Sequence, residues 1–130
     1  MISHVCLGIA DFARAFAFYE PLMAGLGLQL KFAEPAQGWA GWVSADAPRP
    51  LFIIGQPYDG AAAAPGNGQM VALAAASRAL VDRVYQAALA AGGRCEGPPG
   101  LRPHYHPDYY GAYFRDLDGN KLCVCCHATE

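Results

Sequence analysis

Hydrophobic and polar positions in the first 55 residues alternate in a pattern that predicts one strand, one helix and three more strands. An apolar run covers residues 4–9, and Asp11 then precedes apolar residues spaced three and four apart. Asp11 is a typical helix N-cap, and Gly25 and Gly27 suit a helix end. Pro21 lies inside the helical pattern and predicts a kink or an early break. The next apolar runs predict short strands at 28–32, 38–43 and 51–54.

The same pattern recurs in the second half of the chain, displaced by 66 residues. This shift places Val5 on Val71 and Gly27 on Gly93, which indicates an internal duplication. Ser77 takes the N-cap position of the second helix. The predicted elements are a strand at 70–75, a helix ending at Gly92-Gly93, and strands at 94–96, 110–115 and 121–126, with a loop at 97–107.

Two local sequences separate these elements. Asp116-Leu117-Asp118-Gly119-Asn120 lies between two alternating apolar runs and predicts a hairpin. Residues 56–68, rich in proline, glycine and alanine, predict a linker or a mobile flap. We therefore expect an α+β fold: a single domain over 1–130 with repeat one at 1–55 and repeat two at 69–130. Neither repeat can bury its own sheet, so we expect two curved mixed sheets that enclose a cavity.

Composition narrows the classes of function. The 130 residues are 54% hydrophobic, and 9 Lys and Arg against 11 Asp and Glu give a net charge of −2. This balance gives no basic field for nucleic acid. No apolar run reaches the ~18 to 20 residues of a membrane span, and the N-terminus lacks the basic region of a signal peptide. We therefore expect a cytoplasmic location. Three of the five cysteines crowd one short segment, which indicates reduced thiols.

The proline-bounded segment His104-Tyr105-His106 is the first group of candidate functional residues. An extended chain would place both imidazoles on one face for acid–base work, although such a loop also forms a lid by packing alone. Arg102 would pair with an anionic substrate, or be solvated. Tyr109 and Tyr110 add aromatic surface with hydroxyl groups, which suits a small organic ligand or a dimer interface.

The strands supply the other candidates. Alternation places Cys123, Cys125 and His127 on one face of the last strand, where Cys123 is a candidate thiolate nucleophile and where small thiols also simply fill space. His4 opens the first strand and is a candidate general base or metal ligand. Its repeat equivalent, Met70, and Phe52 are candidate substrate-binding residues on strands facing the expected cavity.

The whole arrangement resembles the glyoxalase, bleomycin-resistance and extradiol-dioxygenase group, the vicinal oxygen chelate superfamily. The resemblance is carried by the duplicated unit and by short motifs: His4-Val5, Phe18-Tyr19, Leu26-Gly27-Leu28 and Asp118-Gly119-Asn120. The segment 100–110 and Cys126-His127 resemble a single-domain glyoxalase-like branch with mostly unassigned substrates.

The resemblance implies a candidate divalent metal held by a histidine of the first strand, a histidine or glutamine opening the second repeat, and carboxylates on the last strands. By position, His4 matches the first ligand. The second falls on Met70, next to Gln69, and the last-strand carboxylate falls on Cys123. Magnesium, manganese and iron prefer oxygen and imidazole, so this set suits them poorly.

These observations predict a superfamily protein that binds or transforms a small organic molecule in a cavity between the repeats. One alternative is a metal-dependent lyase, isomerase or dioxygenase, similar to lactoylglutathione lyase, with a rearranged metal site. A second is a metal-free protein that sequesters a small molecule, as in the resistance branch. Relatives commonly dimerise, so we also expect a homodimer.

Overall fold

The computed structural model describes all residues, Met1–Glu130, and forms two compact units, Met1–Pro65 and Gly66–Glu130. Each unit contains a strand, a helix and three more strands, so the predicted α+β class and the duplicated order are confirmed. The first unit contains β1 (His4–Gly8), α1 (Phe12–Gly25), β2 (Leu28–Glu34), β3 (Trp39–Ser44) and β4 (Leu51–Gly55). The second contains β5 (Val71–Ala74), α2 (Arg78–Ala90), β6 (Arg94–Leu101), β7 (Tyr110–Arg115) and β8 (Lys121–Cys126).

The first unit is a four-stranded sheet in the order β1-β4-β3-β2 with α1 on one face. β1 and β4 are parallel and the other pairs are antiparallel. Helix side chains such as Tyr19 pack against Trp42 and Phe52 of the sheet. Phe52, a predicted substrate-binding residue, is only 5% exposed. The alternation of β4 turns it toward the helix, so it has almost no free surface for a ligand.

Helix α1 begins and ends where the sequence indicates but does not break at Pro21. Oδ1 of Asp11 accepts a hydrogen bond from the Arg14 amide at 3.0 Å, which is the predicted N-cap. The helix continues past Pro21 to Gly25. Leu22 and Met23 are fully buried beyond the proline. Burial of such side chains stabilises by about 1.5 to 3 kcal/mol each, which offsets the cost of about 3 kcal/mol for proline inside a helix.

The second unit repeats this plan, with the sheet order β5-β8-β7-β6. Ser77 caps α2 by accepting a hydrogen bond from the Leu80 amide at 3.1 Å. Equivalent backbone bonds relate the two units, with amide donors 66 residues apart and carbonyl acceptors 70 residues apart. The Ile9 amide donates to the Gly55 carbonyl at 3.0 Å, and the Ala75 amide donates to the Cys125 carbonyl at 2.8 Å. Gly55 and Cys125 therefore occupy equivalent positions.

Strand β6 is longer than predicted. It runs to Leu101 and includes Pro98 and Pro99, which the sequence placed in a loop. β6 is the edge strand of its sheet, and its pairing with β7 shifts register twice. Proline, which lacks an amide hydrogen, is tolerated at edges and bulges because no ladder bond is lost there.

The connections agree with the sequence patterns in part. At the β7–β8 turn, the Asp116 amide donates to the Asn120 carbonyl at 2.9 Å, which confirms the predicted hairpin. Residues 56–68 form neither helix nor strand. Neither helix is long and apolar enough to cross a membrane.

Candidate functional site on the second sheet

The face of the second sheet that is turned away from α2, here called the open face, carries most of the chemistry-bearing side chains. We define the polar cluster as the six residues of this face whose functional groups touch one another: His106, Tyr109, Tyr113, Cys123, Cys125 and His127. Alternation along β7 and β8 places Tyr113 beside Cys123, its register partner. All six residues belong to the second unit.

Hydrogen bonds fix the tautomers of the two histidines. The Asp108 amide donates to Nδ1 of His106 at 3.1 Å, so this nitrogen carries no proton. Neutral His106 therefore carries its proton on Nε2, which donates to Nδ1 of His127 at 2.8 Å. Neutral His127 in turn carries its proton on Nε2, 3.6 Å from Sγ of Cys125. These hydrogen bonds point the Nε2–H group of His127 at the Cys125 sulfur.

The pKa values of the two thiols of the polar cluster shift in opposite directions. A hydrogen bond from the Cys123 thiol is the main cause that lowers the pKa of Cys125 to about 6, and His127 contributes further. The same bond raises the pKa of Cys123, and burial adds to that rise. Cys125 is therefore the thiolate at neutral pH. Cys123, the predicted nucleophile, keeps its proton and serves as a donor to Cys125.

The tyrosines of the cluster are hydrogen-bond donors at neutral pH. The Tyr109 hydroxyl lies 3.5 Å from Sγ of Cys123. The Tyr113 hydroxyl donates to the Tyr109 hydroxyl at 3.3 Å. Burial is the main cause that raises the pKa of both Tyr109 and Tyr113. A Cβ atom at Gly111 would lie 2.9 Å from Cε1 of Tyr109 and 3.5 Å from Cβ of Cys125. Glycine at this position lets the Tyr109 ring lie across the strand.

Two cations lie beside the cluster. The Arg102 guanidinium lies 5.6 Å from the Tyr113 ring centre, and Nζ of Lys121 lies 5.7 Å from the same centre. Arg102 also donates from Nη2 to the Pro98 carbonyl at 2.7 Å, which holds its side chain against the sheet. The nearby carboxylates of Glu96 and Asp108 are paired with Arg115 and Arg78, at 2.8 and 3.9 Å. The open face is therefore positively charged beside Tyr113.

The structure brings together only part of the predicted site. The Tyr105 ring packs against Tyr109 with ring centres 4.9 Å apart and an angle of 57° between the ring planes. His104 contacts the ring of Tyr105. Tyr110 faces the helix, where its hydroxyl donates to Oδ1 of Asp82 at 2.7 Å. Its predicted role in substrate binding conflicts with this position, because neighbouring strand residues point to opposite faces. Met70 is exposed just before β5.

The first unit has a different open face. A pocket of about 470 Å³ there is lined by apolar groups that include Cys6, Trp39, Ile53 and Gly55, together with the amides of Gln37 and Gln56. His4 is exposed at the start of β1, and its Nδ1 lies 3.1 Å from the Ser3 hydroxyl. This unit supplies apolar surface but no second polar cluster.

Comparison with known proteins identifies the family. The model of the Glyoxalase/Bleomycin resistance protein/Dioxygenase superfamily matches residues 1–124. The chain belongs to this superfamily. A glyoxalase/bleomycin resistance protein from Albidiferax ferrireducens T118 is 36% identical, with a TM-score of 0.83 over 98% of this chain and 99% of that one. No match was found among curated proteins.

More distant superfamily members share the fold. A glyoxalase/bleomycin resistance protein/dioxygenase family enzyme from Burkholderia phytofirmans PsJN is 18% identical, with a TM-score of 0.70 over 97% of this chain and 98% of that one. A glyoxalase-related enzyme from Fulvimarina pelagi is 20% identical, with a TM-score of 0.71 over 97% and 87%. At these identities the comparison concerns the fold alone.

The divalent metal common in the superfamily does not fit the residues at the expected ligand positions. Met70 offers a thioether and Cys123 a thiol, and these soft sulfur donors suit a hard divalent ion poorly. Within the polar cluster, both ring nitrogens of His127 are engaged with His106 and Cys125. No three His, Cys, Asp or Glu side chains are grouped so that they could hold a metal ion.

Proposed function

We propose that this superfamily member binds a small aromatic molecule carrying a negative charge, of which an aromatic carboxylate is the simplest example, on the open face of the second unit. The observation that carries the proposal is the placement of Arg102 and Lys121 beside the Tyr113 ring. A ligand ring would contact tyrosine rings while its carboxylate approaches a guanidinium, the group best shaped to bind it.

The other groups of the open face support the same ligand. The hydroxyls of Tyr109 and Tyr113 stay protonated because burial raises the pKa of each. Tyr113 donates its proton to the Tyr109 hydroxyl, which leaves the Tyr109 proton for an acceptor on the ligand. The carboxylates of Glu96 and Asp108 are paired with arginines, so they do not cancel the charge of Arg102. A neutral or cationic ligand would form no ion pair with Arg102.

The alternative of a metal-dependent lyase, isomerase or dioxygenase has less support, because His4 matches one expected ligand position but Met70 and Cys123 stand at the other two. Binding alone would match the sequestering alternative. The homodimer, the cytoplasmic location and the cavity between the repeats stay predictions.

The test is thermal unfolding of the full chain with benzoate, phenylacetate and 4-hydroxybenzoate, compared with their carboxamides. A ligand at a hundred times its Kd stabilises by about 2.7 kcal/mol, which raises Tm by several degrees. We expect the carboxylates to raise Tm and the carboxamides to have little effect. Equal stabilisation by acids and amides would contradict the proposal.

A matched pair of variants locates the binding. Arg102→Gln removes a charge-assisted contact, which is worth about 1.5 kcal/mol or roughly a tenfold rise in Kd. Arg83→Gln changes an exposed arginine of α2. We expect weaker carboxylate binding only in the first variant. Unchanged binding by Arg102→Gln would place the ligand elsewhere.

A further inference from the structure

We infer that Cys125 is a nucleophilic thiolate, that His127 and His106 position it, and that it adds to small α,β-unsaturated carbonyl compounds. The inference deepens the proposed function and rests on it, because the reacting molecule would be held on the same open face beside Arg102. Neither the sequence patterns nor the family match assigns this residue a role.

The contacts around Cys125 are those that stabilise a thiolate. The Nε2–H of His127 faces the sulfur at 3.6 Å, and the Cys123 thiol donates to it from the same face of β8. From the adjacent strands, the register partners Ala74 and Gly111 bring no charge or titratable group. Tyr109, whose ring lies over Gly111, is the remaining titratable neighbour and keeps its proton.

His106 acts on Cys125 through His127. Because the Asp108 amide occupies Nδ1 of His106, the proton of His106 lies on the nitrogen that faces His127. This donation prevents neutral His127 from carrying its proton on Nδ1, the side away from the sulfur. His106 is thus a positioning residue. His104, two positions earlier, contacts only the ring of Tyr105 among these side chains.

Solvent exposure also distinguishes the thiols of β8. Cys125 retains 4% of its surface, whereas Cys123 is fully buried and Cys126 retains 1%. Only a small reagent can reach Cys125, which suits a compact activated alkene. The cysteine thiolate, and not the thiol, is the nucleophile.

The addition needs no oxidant or further co-reactant. The sulfur electron pair forms a bond to the β-carbon of the alkene, and the π electrons of the C=C bond move toward the carbonyl oxygen to give an enolate. The α-carbon then takes a proton from water, which leaves hydroxide and a thioether. The Tyr109 hydroxyl, which accepts from Tyr113 and keeps its own proton, supplies a donor for the enolate oxygen, where charge develops.

The test uses the unmodified full chain and acrylamide as the activated alkene. Acrylamide is added between pH 5 and 9, and peptide mass spectrometry measures the modification rate of each of the five cysteines. We expect the rate at Cys125 to reach half its maximum near pH 6, since access scales the rate equally at every pH. A thiol with the ordinary pKa of about 8.5 would instead gain roughly tenfold per unit up to pH 8.

Two results would overturn the inference. One is a Cys125 that stays unmodified in the folded chain while the exposed Cys6 and Cys95 react. The other is a Cys125 rate that rises tenfold per unit to pH 8. The measurement on the native chain requires no variant, so a folding defect cannot obscure it.

Matched variants test the positioning role. His106→Ala removes the donor to His127, and we expect the Cys125 midpoint to rise by about half to one pH unit, or about two- to fivefold less reaction at pH 6. His104→Ala should leave the midpoint unchanged. His106→Gln keeps an N–H donor of similar reach and should restore most of the shift. If His104→Ala and His106→Ala behave alike, the role of His106 is refuted.

Failure of this inference and failure of the proposed function give different results. Carboxylate binding with an unreactive Cys125 overturns the nucleophile and leaves the binding proposal standing. A reactive Cys125 without carboxylate binding overturns the binding proposal and limits the inference to the thiolate itself.

Discussion

The two units share one topology but differ at equivalent positions of their open faces. Where the second unit carries Cys123 and Cys125, the first carries Ile53 and Gly55. Both helix-facing sides are apolar and closely packed, with Trp42 in one unit and Phe114 in the other. The comparison shows that the helix-facing residues specify the fold, whereas the residues of the open face can change from apolar to polar without changing the strand order.

The difference extends to the space above each sheet. Trp39 of the first unit corresponds to Gly111 of the second, because their register partners, Gly55 and Cys125, are equivalent. The first unit has a pocket lined by Trp39 and Gly55. In the second unit the ring of Tyr109 lies over Gly111, beside the thiols. One face offers an apolar surface and the other offers hydrogen-bond donors and a thiolate.

The largest effect expected from this comparison distinguishes the two faces of the first sheet. Trp42→Ala removes a ring that is 1% exposed and contacts Phe16, Tyr19 and Phe52. We expect a loss of about 3 to 5 kcal/mol in the free energy of unfolding. Trp39→Ala, on the open face and 40% exposed, should cost under about 1.5 kcal/mol.

Urea unfolding followed by fluorescence measures both values, because each variant retains one of the two tryptophans as reporter. Similar losses in the two variants would contradict the division between a structural and a variable face.

A smaller effect is expected at the hairpin of the second unit. Oδ1 of the buried Asp116 accepts hydrogen bonds from the amides of Asp118 and Asn120, at 2.9 and 2.8 Å. Asp116→Ala should cost about 2 to 3 kcal/mol, because it leaves these amides without their charged acceptor. In the first unit, exposed Asp59 accepts from the Ala61 amide at 2.9 Å, and Asp59→Ala should cost under about 1 kcal/mol.

Urea unfolding of the two aspartate variants gives this difference directly. Hydrogen exchange should also accelerate at residues 116–120 in Asp116→Ala. An Asp116 variant as stable as the Asp59 variant would show that the buried carboxylate does not stabilise the hairpin.

The smallest effect separates two neighbouring tyrosines. Tyr110→Phe removes the hydrogen bond to Asp82 and should cost about 1 to 2 kcal/mol, with no change in carboxylate binding or in the Cys125 midpoint. Tyr109→Phe should instead alter the reaction of Cys125 and change stability less. The reverse assignment of effects would place Tyr110, and not Tyr109, in the site.

The contribution of the Tyr110–Asp82 hydrogen bond to stability also depends on pH. The hydrogen bond to Asp82 is the main cause that raises the pKa of Tyr110 in the folded state. Its contribution to stability is therefore complete below about pH 10 and is lost as the pH rises through the folded value. In Tyr110→Phe, this alkaline loss of stability should be absent.

The local patterns of the sequence suffice for most of the fold. Asp11 and Ser77 cap helices because their side chains reach amides three residues on, and such contacts are visible in the sequence. The faces of the strands are harder to assign. The run Leu51-Phe52-Ile53-Ile54 is apolar throughout, so it has no period that shows whether Phe52 or Ile53 faces the helix.

The sequence predicts which strand face carries the candidate site. It does not show which of the two thiols is ionised. Alternation indicated that Cys123, Cys125 and His127 share a face, and the contacts between them agree. Which sulfur holds the proton depends first on the bond between the two thiols and then on His127, which His106 orients from a separate loop. The place of Tyr113 beside Cys123 follows from strand register, which only the hairpin geometry fixes.

The two prolines of β6 also bear on how copies of the chain can assemble. An unpaired edge strand normally invites another chain to extend the sheet, since its outward amides and carbonyls are free to bond. Pro98 and Pro99 present two consecutive residues without an amide hydrogen on this edge. Continuous strand addition is blocked there, so β6 is protected against edge-to-edge aggregation, and self-association through sheet extension must use another strand.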